Sequence, residues 1–219
     1  MNCERLTQFL IELQFSNSKV WFDTHRPEYQ ILKLEFIELM TRLITEITKF
    51  DSSVKGVIAK DTLFRINRDI RYSHNKNPYK THFSAAIASN GRHSSLPIYY
   101  LQLGIEESVV AGGIYLPEPP QLAALRRYIM QHPKKAEALL KNKVLLEQFS
   151  GLDTQHMLSR FPKGFSEGSS LLKYKSFTVS QNFDAFALNS SDLEAFIISS
   201  FKKMQPLHKW LREALTFFE

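Results

Sequence analysis

A chain of 219 residues, 43% hydrophobic and 12% aromatic, can bury a sizeable core, which excludes global disorder. Twenty-eight Lys and Arg against 22 Asp and Glu give a formal charge of +6, and no apolar run approaches the roughly 18 residues of a membrane-spanning helix. The single cysteine, Cys3, excludes an internal disulfide and a multi-thiolate zinc site. The first 15 residues carry Glu4 and Glu12 and lack an apolar stretch ending in small residues, so no signal peptide and a cytoplasmic location are expected.

In residues 4–15, Leu6, Phe9, Leu10 and Leu13 stand at helical spacing. Asn17 and Ser18 are candidate caps for a short helix through Trp21 and Phe22, and Pro27 suits the first turn of the next one. From Tyr29 onward Leu32, Phe36, Leu39, Met40, Leu43, Ile47 and Phe50 recur in steps of three and four, predicting a long amphipathic helix.

The middle of the chain reads as sheet. Residues 62–70, 82–88, 97–103 and 108–116 are predicted strands, the last two joined by the short turn Gly104-Ile105-Glu106-Glu107. Such short links favour antiparallel pairing. Gly112 and Gly113 mark a bulge or a close backbone approach.

Pro119 and Pro120 open a helix with Leu122, Leu125 and Ile129 inward, and Pro133 opens another through Leu140. Residues 144–170 read as irregular, with a turn at 161–165, and 171–179 as a last strand. Ser191 and Glu194 suggest a capping box ahead of Phe196, Ile197 and Phe201, and Leu207, Trp210, Leu211, Leu215 and Phe218 form a terminal helical stripe. With no repeat and no linker, the expectation is one α+β domain over 1–219, a mainly antiparallel central sheet with N-terminal and C-terminal helices packed on it.

Charge is concentrated. Residues 60–82 contain Lys60, Arg65, Arg68, Arg71, Lys76 and Lys80 against Asp61 and Asp69, a net +4 of the total +6. Strand parity would place Arg65, Asn67, Asp69, His82, Tyr100, Gln102, Lys173 and Lys175 on one sheet face. Guanidinium forks and ammonium groups suit phosphate or carboxylate oxygens. A single wet face of an antiparallel sheet would look the same, but the long loop 69–81 exceeds what a simple hairpin needs. The candidate anion ligands are therefore Arg65, Arg68, Arg71, Lys76, Lys80 and Lys175, with Tyr79 and Tyr100 on the rest of the molecule. Asp69 and His82 are the acid/base candidates. Asp69 is also a natural ion-pair partner for Arg68 or Arg71, with a lowered pKa, and His82 is equally a solvated strand-end residue.

No phosphate-binding glycine loop, dinucleotide fingerprint, zinc-protease helix or nucleophile elbow occurs, and the seven histidines lack ligand spacing, so no metal is expected and no cofactor is indicated. Tyr72, Tyr79 and Tyr100 between arginines leave single-stranded nucleic acid as an alternative occupant of the same surface. A structural or partner-binding domain without a catalytic site is a third reading. Neither turnover nor oligomeric state follows from these residues.

The motif Asn17-x-Lys19-x-Trp21-Phe22-x-x-His25-Arg26-x-x-Tyr29 resembles the opening of the DUF2461 family. The runs Phe64-Arg65-Ile66-Asn67-Arg68-Asp69-Ile70-Arg71-Tyr72-Ser73 and Lys76-x-Pro78-Tyr79-Lys80-Thr81-His82 are similar to its central signature. Tyr99-Tyr100, Gly112-Gly113-x-Tyr115-x-Pro117, Phe161-Pro162-Lys163-Gly164-Phe165 and Leu172-x-x-Lys175-Ser176-Phe177 come after them in the same order as in the family. The chain departs from the pattern at Glu167-Gly168-Ser169-Ser170 and at His74-Asn75. The resemblance implies one intact domain and supplies no activity. Within the opening motif, Arg26 is expected either over the sheet or paired with Glu28 or Glu35.

Overall fold

Apolar spacing at the N-terminus becomes three helices in the computed structural model, which describes all residues except 72–73, 90–93, 166–167 and 218–219. Helix α1 (Cys3–Phe15) starts at Asn2, whose side chain accepts from the Arg5 amide, and buries Leu6, Phe9, Leu10 and Leu13. Helix α2 (Lys19–Thr24) is capped by Ser18, which accepts from the Trp21 amide. Asn17, the other candidate cap, is engaged elsewhere. Helix α3 (Arg26–Thr48) carries Pro27 in its first turn and buries one stripe from Leu32 to Ile47, leaving Phe50 half-buried beyond its end. The short α4 (Ala59–Thr62) comes next, its end tied by Thr62 Oγ1 donating to the Ala59 carbonyl.

The strands are β1 (His82–Ile87), β2 (Ile98–Gly104), β3 (Ser108–Ile114) and β4 (Phe177–Phe183), in the antiparallel order β1-β2-β3-β4. At Gly113 φ is +116°, and a Cβ there would lie 2.0 Å from the Phe177 carbonyl oxygen, so the close approach that the glycine pair foretells is real. Helices α5 (Pro119–Gln131), α6 (Pro133–Leu140), α7 (Lys143–Phe149), α8 (Ser190–Lys203) and α9 (Gln205–Thr216) complete the α+β fold. No helix among the described residues is long and apolar enough to cross a membrane.

The chain packs as two compact units. The first comprises residues 1–93, 100–110 and 182–199. Its core lies where α3 meets β1, with Phe36 edge-on to Phe83 at 5.7 Å. The second comprises residues 94–99, 111–181 and 200–219. Its core lies where α5 meets α9, with Tyr128 edge-on to Trp210 at 5.5 Å. Burying rings of this size is worth roughly 1.5–3 kcal/mol each.

Four sequence expectations are corrected. Residues 144–170 are not wholly irregular, because Asn142 caps α7 by accepting from the Leu145 amide. Residues 171–179 are not one strand: Ser170–Lys173 is a 3-10 turn and the strand begins at Phe177. Asn189 serves as the cap of α8, accepting from the Asp192 amide, while Glu194 pairs with Arg42. Residues 62–70 are not a strand either. Thr62 ends α4, and the segment after it touches β1 and the loop before β1 at two isolated bridges, Leu63 with Ala85 and Asn67 with Tyr79. The spacing is four residues on one side and six on the other, so two extra residues break the ladder between the bridges. The Phe218 end of the terminal stripe lies outside the described residues.

Candidate functional site

That broken ladder shapes the basic segment. The Phe64 amide donates to the Ser84 carbonyl at 2.9 Å, the Lys80 amide to Ile66 at 2.8 Å, and the Arg68 amide to Pro78 at 2.8 Å. Parity is lost across the interruption, and burial does not alternate: Ile66 is buried while Phe64 is exposed. The segment is held from α2's side as well. The Asn17 side chain accepts from the Tyr79 N–H at 3.0 Å and donates to the Tyr79 carbonyl at 3.1 Å. The Tyr79 ring, 5% exposed, stacks on Phe22 at 4.0 Å. Tyr79 is therefore an anchor of the loop, with its face covered.

The cations fall into two groups. Arg71 forks onto Asp69 at 2.9 and 2.6 Å, and Arg65 reaches the same carboxylate at 4.0 Å. These hydrogen bonds hold the Asp69 carboxyl far below the usual carboxylate range. The expected pairing of Asp69 thus falls on Arg71, and its partner is not Arg68. Lys76 folds back onto the Ile70 carbonyl at 3.0 Å.

Lys80 and Arg68 are different. Lys80 is half-buried, with its ammonium 5.8 Å from the centre of the Phe64 ring. Burial, then the charges of Arg65 and Arg68, lower its pKa. Arg68 has a buried Nε with no hydrogen-bond partner. Among the described residues no carboxylate pairs with Lys80 or Arg68. His82 feels both: burial, then Lys80 and Arg68, push its pKa down to about 4. It is a neutral imidazole at pH 7, not a group poised near physiological pH. Beside it on the same strand Ser84 is buried, and the half-buried Tyr100 donates to Gln102 Oε1 at 2.8 Å. Tyr100 also approaches Phe64, ring centres 6.2 Å apart, and burial raises its pKa.

Residues around the N-terminal half of α3 and the 60–67 segment enclose a cavity of about 420 Å³. Arg26, Tyr29, Gln30 and Lys33 of α3 line it, with Lys60 and Asp61 of α4, then Arg65 and Asn67. His82 and Ser84 of β1 also reach it. Arg26 pairs with Asp23 at 2.5 Å instead of with Glu28 or Glu35; Glu28 is taken by Arg5. Lys33 reads in the sequence as the wet side of a helix, and Lys60 counts toward the charged stretch without standing among its candidate ligands. The clamp by Asn17 was missed for a similar reason, since a polar residue before a helix looks like a cap.

Lys175 is exposed in the second unit, just after the Ser170–Lys173 turn, and Lys173 lies over the Phe161 ring at 4.7 Å. Neither stands on a strand, so the single face drawn through four strands is not built. Tyr72 lies outside the described residues. Among the described residues no group of three or more His, Cys, Asp or Glu side chains is placed to hold a metal ion.

The model of a family described as a conserved hypothetical protein, DUF2461, matches residues 5–210. The chain belongs to the DUF2461 family. The match covers nearly the whole DUF2461 chain, the basic segment and its Asn17 anchor included. Neither the curated proteins nor the solved structures gave a match.

Proposed function

We propose that this DUF2461 protein binds a small phosphorylated or carboxylated molecule, with Arg65, Arg68 and Lys80 around the anion and His82 and Tyr100 beside it. The observation that carries this reading is the half-buried Lys80 next to an Arg68 whose buried Nε has no partner. Like charges gathered out of water are costly, and an anion accepting from both relieves that cost. In this reading Asp69 orients Arg71 and takes no proton, because a carboxylate held so firmly ionised is a weak base. The small-ligand reading is favoured over single-stranded nucleic acid because the Tyr79 ring is covered by Phe22 and offers no face to a base.

Thermal unfolding tests it. Inorganic phosphate at about a hundred times its Kd stabilises by about 2.7 kcal/mol, a rise of roughly 5–10 °C in Tm for a chain of this size. Chloride at equal ionic strength gives no such rise. Equal curves in the two salts up to millimolar phosphate would remove the proposal.

A further inference from the structure

The cavity beside α3 has more room and more charge than one phosphate group uses. Its volume of about 420 Å³ falls within the roughly 300–1,000 Å³ of small-molecule sites. Lys33 and Lys60 come to it from two different helices, and no carboxylate pairs with either among the described residues. Asp61 is the one carboxylate among its lining residues, against Lys33, Lys60, Arg65 and the already paired Arg26. Arg65 and the His82–Ser84 stretch of β1 line the cavity, and Arg65 and His82 also neighbour Lys80. Arg65 therefore belongs to both groups of cations. Gln30 and Asn67 also line the cavity, with amides suited to hydroxyl groups.

Resting on the anion reading above, we infer that the ligand carries two separated anionic groups on a hydroxylated body: one is held at Arg68 and Lys80, the other at Lys33 and Lys60 inside the cavity. A sugar bisphosphate has this chemistry. A monophosphate of the same sugar leaves one group of cations unmatched, and inorganic phosphate cannot bridge the two.

Titration calorimetry at constant ionic strength with inorganic phosphate, fructose 6-phosphate and fructose 1,6-bisphosphate tests this on the intact chain. The bisphosphate is expected to bind at least tenfold more tightly than the monophosphate. The Lys33→Met, Lys60→Met double variant is expected to shrink that ratio to within about twofold. Equal affinities for the two sugars in the unaltered protein overturn this inference and leave the anion reading standing. A ratio that survives in the double variant overturns the assignment to the cavity. If no phosphate compound binds, the anion reading falls and this inference falls with it. The comparison among ligands on the unaltered protein needs no variant, so a folding defect in the double variant cannot mask the outcome.

Discussion

At His82 two effects of the same sign add: burial disfavours the charged ring, and Lys80 and Arg68 repel it. A histidine whose folded pKa of about 4 lies below its unfolded value near 6.5 binds fewer protons when folded. Its contribution to stability is fully present above about pH 6.5 and is lost as pH falls through 4, a change on the order of 3 kcal/mol. His82→Gln should therefore lose less stability than the unaltered protein between pH 7 and pH 4.5 in urea unfolding. An imidazole signal that titrates near 6.5 would contradict the burial and the repulsion together. Phosphate bound beside the ring should raise its midpoint, so binding at pH 5 should take up protons, which calorimetry in two buffers of different ionisation enthalpy measures.

At the scale of the elements, two contacts decide more than their size suggests. Gly113→Ala places a Cβ on the Phe177 carbonyl at a φ of +116°, and should cost at least about 3 kcal/mol. Gly56→Ala, at φ +83° with nothing within 4 Å, should cost only the backbone strain of about 1–2 kcal/mol. Equal unfolding midpoints for the two would deny the close approach of β3 to β4. Asn17→Ala removes both bonds to the Tyr79 backbone, with an expected loss of about 1–3 kcal/mol. Faster amide exchange at Tyr79 and Lys80 should accompany it; unchanged exchange would mean that the Phe22 stack alone holds the loop. Elements with a strong local rule were legible in the sequence: the stripe of α3 and the proline starts of α5 and α6 stand where spacing and Pro chemistry put them. Residues 62–70 were not, because their alternation of Phe64, Ile66 and arginines is real while the partner strand carries two extra residues, and no single-strand pattern reports a partner's register. The shift of β4 to Phe177 has a related cause, since Leu171 and Leu172 are buried from a 3-10 turn as well as they would be from a strand.

At the scale of the whole molecule, two thirds of the formal charge comes from 23 residues, and those residues are tied to α2 and β1 by Asn17, Tyr79 and the Phe64–Ser84 bond. The charge concentration was legible in the sequence, and the ties that hold it were not. What composition could not show was which cations are already matched. Arg71 is matched by Asp69, and among the described residues no carboxylate matches Lys80 or Arg68. The most direct test of the central claim is a calorimetric titration of inorganic phosphate into the unaltered protein, Arg71→Gln and the Arg68→Met, Lys80→Met double variant. Saturable binding that Arg71→Gln changes by less than about threefold and the double variant weakens by at least tenfold is the predicted result. Binding that is absent throughout, or equally strong in a folded double variant, would contradict it.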